Sequence, residues 1–132
     1  MSIYVDTSAF LAVLDSREQH HAAARDTWQQ LIQEDERLVV NNYVLVETFA
    51  LVQNRLGLQA VKAFHRDAAP LLHIDWIDET GHSASVAALL VANQRRLSLV
   101  DCASFHTMRR LGLDRAFTFD QYFREQGFTC IP

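Results

Sequence analysis

The chain has 132 residues, of which 49% are hydrophobic and 21% are charged, and its net charge is −4 at neutral pH. This is the composition of a soluble globular domain, and no apolar run reaches the ~18 residues of a membrane span. The negative balance excludes binding of nucleic acid through bulk positive charge alone, but it is compatible with a nuclease whose carboxylates surround a cation.

The N-terminal residues and the cysteines indicate a cytoplasmic protein. Met1 and Ser2 lead directly into a short apolar run, with neither the basic segment nor the cleavage site of a signal peptide. Cys102 and Cys130 lack the spacing of a zinc site and are interpreted as small buried hydrophobic residues in a reducing compartment. We therefore expect a cytoplasmic location and no membrane partner.

Short apolar strands alternate with helices along the first half of the chain. Ser8 is a candidate N-cap for the first helix, and Asn41 or Asn42 is a candidate N-cap for the helix that ends at Gly57. The predicted elements are a strand at Ile3–Val5, a buried helix at Ala9–Leu14, a helix at about Glu18–Gln33, a strand at Leu38–Val40 and a helix that ends at Gly57.

The second half repeats this alternation. The predicted elements are a helix at Leu58–Ala68, a strand at Leu71–Trp76, helices at Thr80–Arg95 and Asp101–Leu111, a strand at Arg115–Phe119, a short helix at Gln121–Gln126 and a strand at Phe128–Ile131. Such alternation predicts an α/β fold with a central, mostly parallel sheet of about five short strands. The absence of a linker or repeat predicts a single domain over residues 1–132.

Two aspartates occupy the same local position. Asp6 follows the first predicted strand directly, and Asp120 follows the strand at Arg115–Phe119. In open α/β sheets, ligands bind beyond the carboxyl ends of strands, so both side chains could face one crevice. The alternative for each residue alone is an ordinary turn or helix-start aspartate.

Two further acids stand in apolar surroundings. Glu47 lies within a mostly apolar helix, where a buried carboxylate is costly unless it is paired or bound to a cation. It could instead face solvent beside Thr48. Asp101 follows an apolar run and forms a Ser-x-x-Asp capping box with Ser98, a role that is compatible with catalysis.

The four acids share a chemical rationale. Mg²⁺ and Mn²⁺ prefer oxygen ligands, and crowded carboxylates repel one another until a cation neutralises them. A bound metal can polarise a phosphodiester and activate a water without any Cys, His or Ser nucleophile.

These segments together resemble the PIN-domain family, and within it the VapC-type toxins of bacterial toxin–antitoxin pairs. The resemblance covers almost the whole chain and rests on Val5–Ser8, Val46–Glu47, Leu97–Asp101 and Thr118–Asp120, followed by Tyr122 and Phe123. Successive acids are separated by 41, 54 and 19 residues, and this order makes the combination specific.

The resemblance implies a PIN-like domain and a Mg²⁺- or Mn²⁺-dependent endoribonuclease that leaves 5′-phosphate and 3′-hydroxyl ends. Asp6, Asp101 and Asp120 would hold the metal, and Glu47 would complete the catalytic cluster directly, through water or as a proton acceptor. Ser8 and Thr118 match positions that support the acids, although they could be plain cap and strand residues. The implied partners are an RNA substrate, a cognate antitoxin and a second copy in a homodimer.

Two other functions share parts of this pattern. One is a toxin-like binding module that acts mainly in an antitoxin–DNA repressor complex. The other is a phosphate-receiving signalling domain, which is disfavoured because strand 1 ends in a lone Asp6 and the only lysine is Lys62.

The remaining polar residues carry no clear chemistry. His20 and His21 are adjacent, so they point to different faces and are interpreted as surface residues. Paired arginines flank the Asp101 helix and could contact the RNA backbone or simply be solvated helix ends: Arg95, Arg96, Arg109 and Arg110.

Overall fold

The computed structural model describes residues 1–132, and its strands and helices alternate as the sequence predicts. None of the helices combines the length and the apolar character that crossing a membrane requires. The elements are β1 Ser2–Val5, α1 Thr7–Leu14, α2 His21–Gln33, β2 Arg37–Asn41, α3 Asn42–Leu56, α4 Leu58–Ala63, β3 Leu72–Asp75, α5 Glu79–Ala92, α6 Leu99–Leu111, β4 Arg115–Phe117, α7 Gln121–Glu125 and β5 Thr129–Ile131.

The five strands form one sheet in the order β3-β2-β1-β4-β5, and every neighbouring pair is parallel. The chain builds outward from β1 through β2 to β3, and then crosses back to place β4 on the other side of β1. Strand order therefore reverses between β1 and β4, the position where open α/β sheets bind ligands. The predicted α/β class with a five-stranded parallel sheet is confirmed.

The core lies on both faces of the sheet. Residues Ile3, Tyr4 and Val5 of β1 are fully buried, as expected for a central strand covered by helices on both sides. Aromatic side chains fill the space between sheet and helices. Phe105 of α6 packs edge-to-face on Phe123 of α7, with ring centroids 5.0 Å apart. This packing fixes the helices that carry the candidate site.

The bounds of several predicted elements shift by up to three residues; the helix predicted at Thr80–Arg95, for example, ends at Ala92. Two differences have an identifiable physical cause. The predicted helix over Leu58–Ala68 is regular only to Ala63; a π-helical turn at Phe64–Ala68 and a 3₁₀ turn at Ala69–Leu71 follow. Pro70 lies in that last turn, where it cannot donate a helical hydrogen bond. The predicted strand at Arg115–Phe119 ends at Phe117; the reason is a side-chain contact at the candidate site.

Candidate active site at the carboxyl end of the central strands

Asp6 lies directly after β1, at the reversal of strand order. Its backbone is extended, and its side chain caps α1 by accepting a hydrogen bond from the Ser8 N–H at 3.4 Å. The prediction that Ser8 caps this helix was therefore wrong by two residues, and Ser8 lies in the first turn. Because Asp6 is only 4% exposed, its carboxylate is almost fully withdrawn from solvent.

Two hydroxyl groups hold the carboxylate of Asp6. Ser8 Oγ donates to Asp6 Oδ2 at 2.7 Å, and Thr118 Oγ1 donates to the same oxygen at 3.0 Å. Ser8 Oγ also accepts the Phe119 N–H at 3.0 Å. This last bond removes the Phe119 N–H from the sheet, which explains why β4 ends before that residue. The side chains of Ser8 and Thr118 thus contact the acid that they were expected to support.

Asp120 caps the short helix α7. One of its oxygens, Oδ1, accepts the Tyr122 N–H at 2.9 Å, and its own N–H donates to Thr118 Oγ1 at 3.0 Å. Thr118 therefore contacts both acids that follow the neighbouring strands β1 and β4. The charge of Asp120 also acts on the carboxylate of Asp6, so the two strand-end aspartates lie near each other.

Asp101 is the third residue of α6. Ser98 Oγ accepts the Asp101 N–H at 3.0 Å, and Asp101 Oδ2 accepts the Ser98 N–H at 3.0 Å. This reciprocal pair is a complete capping box, as the sequence predicted. The box fixes the carboxylate of Asp101 at the N-terminus of the helix, where it faces the other acids.

Glu47 lies on α3 and is half-buried. It borders a groove of about 330 Å³ together with Tyr43, Val46 and Val100. Val46 is 69% exposed, so this part of the groove offers an apolar surface beside the carboxylate. Glu47 therefore neither forms a salt bridge nor projects fully into solvent.

The acids interact electrostatically. Burial, together with the charges of Asp101 and Asp120, raises the pKa of Asp6 to about 6, against the opposing hydrogen bonds of Ser8 and Thr118. Burial also raises the pKa of Asp101, and the charges of Asp120 and Glu47 add to that rise. Asp101 and Asp120 thus lie within electrostatic range of Asp6, and Glu47 lies within range of Asp101. The neighbouring charges make ionisation of Asp6 and Asp101 less favourable.

The donor chemistry of the cluster suits a hard cation. In Asp6, Asp101 and Asp120 alike, one carboxylate oxygen accepts the hydrogen bonds given above, and the other has no protein donor. All salt bridges of the molecule involve other acids. Oxygen-only ligands and uncompensated negative charge are the features that bind Mg²⁺ or Mn²⁺.

The side chains do not form a closed metal cage. No group of three or more His, Cys, Asp or Glu residues is positioned to hold a metal ion jointly. Mg²⁺ is commonly held by one or two carboxylates and several waters, so the site fits this ion in a partly hydrated form.

Sequence reasoning missed one neighbour of the acids. His20 stacks on Phe119, with ring centroids 4.7 Å apart and an interplanar angle of 2°. His20 is exposed, as expected, but it lies over the residue that precedes Asp120. The two positions are far apart in sequence, and no local pattern relates them.

A protein-family model and a characterised relative both match almost the whole chain. A protein-family model described as the PIN domain matches residues 3–128. The 23S rRNA-specific endonuclease VapC20 of Mycobacterium tuberculosis is 28% identical over 130 residues, which cover 98% of this chain and 97% of the relative.

Solved structures agree on the fold. The crystal structure of M. tuberculosis VapC20, described as a Sarcin-Ricin loop cleaving toxin, superposes with a TM-score of 0.83 at 27% identity and covers 96% of each chain. FitAcB from Neisseria gonorrhoeae gives a TM-score of 0.70 at 15% identity, covering 100% of this chain and 97% of the other. DNA-bound VapBC from Salmonella typhimurium gives 0.69 at 14% identity, covering 98% and 96%. At their low identities the last two matches establish the fold alone.

Proposed function

This chain belongs to the PIN-domain family, and from this membership we propose that it is a divalent-metal-dependent endoribonuclease that acts as the toxin of a type II toxin–antitoxin pair. One observation carries the proposal. Asp6 after β1, Asp101 of α6 and Asp120 after β4 interact electrostatically at the reversal of strand order, and Glu47 of α3 acts on Asp101. The pKa of Asp6 rises there, mainly through burial, to about 6. Strongly perturbed acids in a crevice are typical of functional sites.

RNA is the proposed substrate class. The VapC20 relative, which aligns over almost the whole length of both chains, is named for its action on 23S rRNA. A phosphodiester is also the substrate that a carboxylate-bound divalent ion suits. The reaction is hydrolysis, with water as the nucleophile and 5′-phosphate and 3′-hydroxyl ends as products.

We propose residue roles from the family resemblance, and the free carboxylate oxygens support them. Asp6, Asp101 and Asp120 would hold Mg²⁺ or Mn²⁺ through their unpartnered oxygens, with some of these contacts made through water. When bound, such an ion polarises the phosphodiester and lowers the pKa of an attacking water. Glu47 would complete the site, either at the ion or as the acceptor of the proton that this water loses.

Other side chains would position the acids. The hydroxyls of Ser8 and Thr118 fix the rotamer of Asp6, and the capping box with Ser98 fixes that of Asp101. This arrangement keeps one oxygen of each carboxylate turned away from the protein donors. A preorganised site of this kind loses little freedom when the cation and the phosphate bind.

A cognate antitoxin and a second copy of the chain are the proposed protein partners. The VapC20 structure is described as that of a toxin, and a cell that makes such a ribonuclease needs a means to silence it. An antitoxin segment that covers the acidic crevice would do so. We also propose a cytoplasmic location, where RNA is available.

The test is a cleavage assay with the purified chain. Ribosomal RNA and unstructured RNA are incubated with Mg²⁺, Mn²⁺ or EDTA, beside an Asp6→Asn variant and an Asp26→Asn control on the exposed face of α2. We expect cleavage by the wild type and the control with either metal, and none with EDTA or Asp6→Asn. Cleavage that survives EDTA or the Asp6 change would overturn the proposal. Binding of an antitoxin without cleavage of any RNA would favour the alternative of a repressor-complex module.

A further inference from the structure

A second cavity adjoins the acidic crevice on the β4 side. Its volume is about 190 Å³, and its lining includes Thr118 and Asp120 from the candidate site. The lining also includes His20, Phe119 and Arg124. The cavity therefore shares Asp120 with the acid cluster, and Thr118 with its supporting residues, but adds an aromatic pair and a cation that the cluster itself lacks.

The aromatic pair is held in place. His20 precedes α2, makes no capping hydrogen bond and lies parallel to the ring of Phe119. Its neighbour His21 fixes this turn, because His21 Nδ1 is 2.8 Å from the carbonyl oxygen of Ala12 in α1. Phe119 covers one face of the His20 imidazole. Because His20 is exposed, the rest of the ring is open to solvent. Such a face can accept a nucleobase by stacking.

The cation is unpaired. Most arginines of the chain bind an acid, as Arg17 binds Asp15 and Arg55 binds Glu18. The guanidinium of Arg124 is exposed on α7 and forms no salt bridge or hydrogen bond.

The charges of Arg124 and Asp120 both act on the nearby Cys130 thiol. Burial raises the pKa of the Cys130 thiol, while the charge of Arg124 lowers it and that of Asp120 raises it. Arg124 and Asp120 both line this cavity, together with Cys130. A phosphate repelled by the acid cluster would meet an attractive charge next to it.

We propose that this cavity binds one nucleotide of the substrate RNA next to the bond that is cleaved, with its base stacked on His20 and its phosphate held by Arg124. The proposal rests on the proposed ribonuclease function and extends it to a substrate-binding subsite. A single-stranded nucleotide fits best, because a base paired in a duplex does not offer its face. His20 and Arg124 are binding residues here and take no part in bond cleavage.

The first test needs no catalysis. Adenosine 5′-monophosphate, ribose 5-phosphate and inorganic phosphate are titrated into the protein in EDTA. Isothermal titration calorimetry gives the affinity for the wild type and every variant, and the imidazole NMR signals of His20 report where binding occurs in the wild type. We expect adenosine 5′-monophosphate to bind about tenfold more tightly than ribose 5-phosphate, the gain from one stacked base. His20→Ala should remove this difference, and His20→Phe should restore it. Arg124→Gln should weaken both organic phosphates by about fivefold to tenfold.

The matched control is Arg37→Gln. Arg37 is an exposed arginine without an acid partner at the start of β2, at the opposite end of the sheet, so its substitution removes the same charge far from the cavity. Equal affinities of the wild type for adenosine 5′-monophosphate and ribose 5-phosphate would overturn the proposal. So would an equal loss of affinity in Arg37→Gln and Arg124→Gln, since this would indicate non-specific attraction.

The second test uses the cleavage assay on single-stranded RNA. His20→Ala and Arg124→Gln should each raise KM by about fivefold to tenfold with kcat changed less than twofold, whereas Arg37→Gln should leave both constants unchanged. Unchanged KM in both cavity variants would overturn the subsite while the ribonuclease function stands. If the wild type cuts no RNA, the function fails, and the nucleotide titration alone decides whether the cavity binds a nucleotide.

Discussion

Thr118 Oγ1 lies 3.0 Å from Asp6 Oδ2, and the donated hydrogen bond joins residues that are 112 positions apart. The same hydroxyl accepts the Asp120 N–H at 3.0 Å. One side chain therefore connects the acid after β1 with the acid after β4. Movement of either strand end would be transmitted to both acids, so Thr118 should matter more for activity than a surface threonine.

Replacement of Thr118 by valine should reduce cleavage by about tenfold to a hundredfold, because the shape is kept while a hydrogen bond to a charged group is lost. That hydrogen bond opposes the burial that raises the pKa of Asp6, so the pKa should rise further in the variant. The acidic limb of the pH–rate profile should then move to higher pH. Thr118→Ser keeps the hydroxyl and should keep the wild-type profile; an identical loss in both variants would indicate a packing defect instead.

Asp6→Asn should stabilise the metal-free protein at pH 7 by about 2–3 kcal/mol. Burial, with added repulsion from Asp101 and Asp120, raises the pKa of Asp6 from 3.8 to about 6, and each tenfold change in an ionisation constant corresponds to about 1.4 kcal/mol. Asparagine fits the same space without a charge, and its amide oxygen can still accept the hydrogen bonds of Ser8 and Thr118. A variant that is inactive but more stable would separate the role of Asp6 in function from any role in folding.

The raised pKa of Asp6 also sets a pH dependence of stability. Between pH 4 and 6 the folded protein keeps the proton of Asp6 while the unfolded chain has lost it, so the Asp6 contribution to stability falls as pH rises through this window and is constant above it. The free energy of unfolding is measured with urea in EDTA at several pH values for the wild type and for Asp6→Asn. The wild-type value minus that of Asp6→Asn should fall with pH in this way. A difference that does not change with pH would contradict the elevated pKa.

Mg²⁺ or Mn²⁺ should raise the melting temperature of the wild type at pH 7 and have much less effect at pH 5. The ion binds ionised carboxylates of the folded state only, and the protonation of Asp6 below its pKa of about 6 competes with it. Differential scanning fluorimetry with increasing metal concentration gives the measurement. Asp6→Asn should show a smaller change in melting temperature than Asp26→Asn, whose side chain is exposed on α2. Equal changes in the two variants would place the metal elsewhere.

The sequence was sufficient to predict the sheet because the central strands β1 and β2 contain short apolar runs and the other strands alternate with helices along the chain. The predictions became less accurate where contacts between distant residues decide the local structure. The strand at Arg115–Phe119 was predicted two residues too long, because the Phe119 N–H donates to Ser8 Oγ, 111 positions away. The capping box of Asp101 was predicted correctly, since it depends only on residues three positions apart.

The positions of the other acids could likewise be predicted where local sequence decides them, and could not where contacts between distant residues do. Asp6 and Asp120 could be assigned to one crevice from their positions after apolar strands, because parallel strands end at the same edge of a sheet. For Glu47 the sequence left solvent and site equally open, and only the packing of α3 against α6 brings it into range of Asp101. The stacking of His20 on Phe119 depends on the turn between α1 and α2, which has no periodic pattern.

The last prediction concerns the helix that presents Asp101. Ser98→Ala removes the hydroxyl that accepts the Asp101 N–H but leaves the backbone N–H of residue 98, so half of the capping box remains. Loss of a serine cap costs about 1 kcal/mol of stability, which urea unfolding would detect. Cleavage should fall by about tenfold, because the carboxylate of Asp101 loses part of its support. Ser98→Thr keeps the cap and should restore both quantities.

A purely structural role of Ser98 gives a different result. In that case Ser98→Ala would lose stability but would cleave RNA at the wild-type rate at temperatures where it is fully folded. Asp78→Ala is the matched control, because Asp78 caps α5 through the Gly81 N–H and lines no part of the acid cluster. This variant should lose about the same stability as Ser98→Ala and keep its activity. A parallel loss of activity in both variants would show that cleavage follows overall stability and not the placement of Asp101.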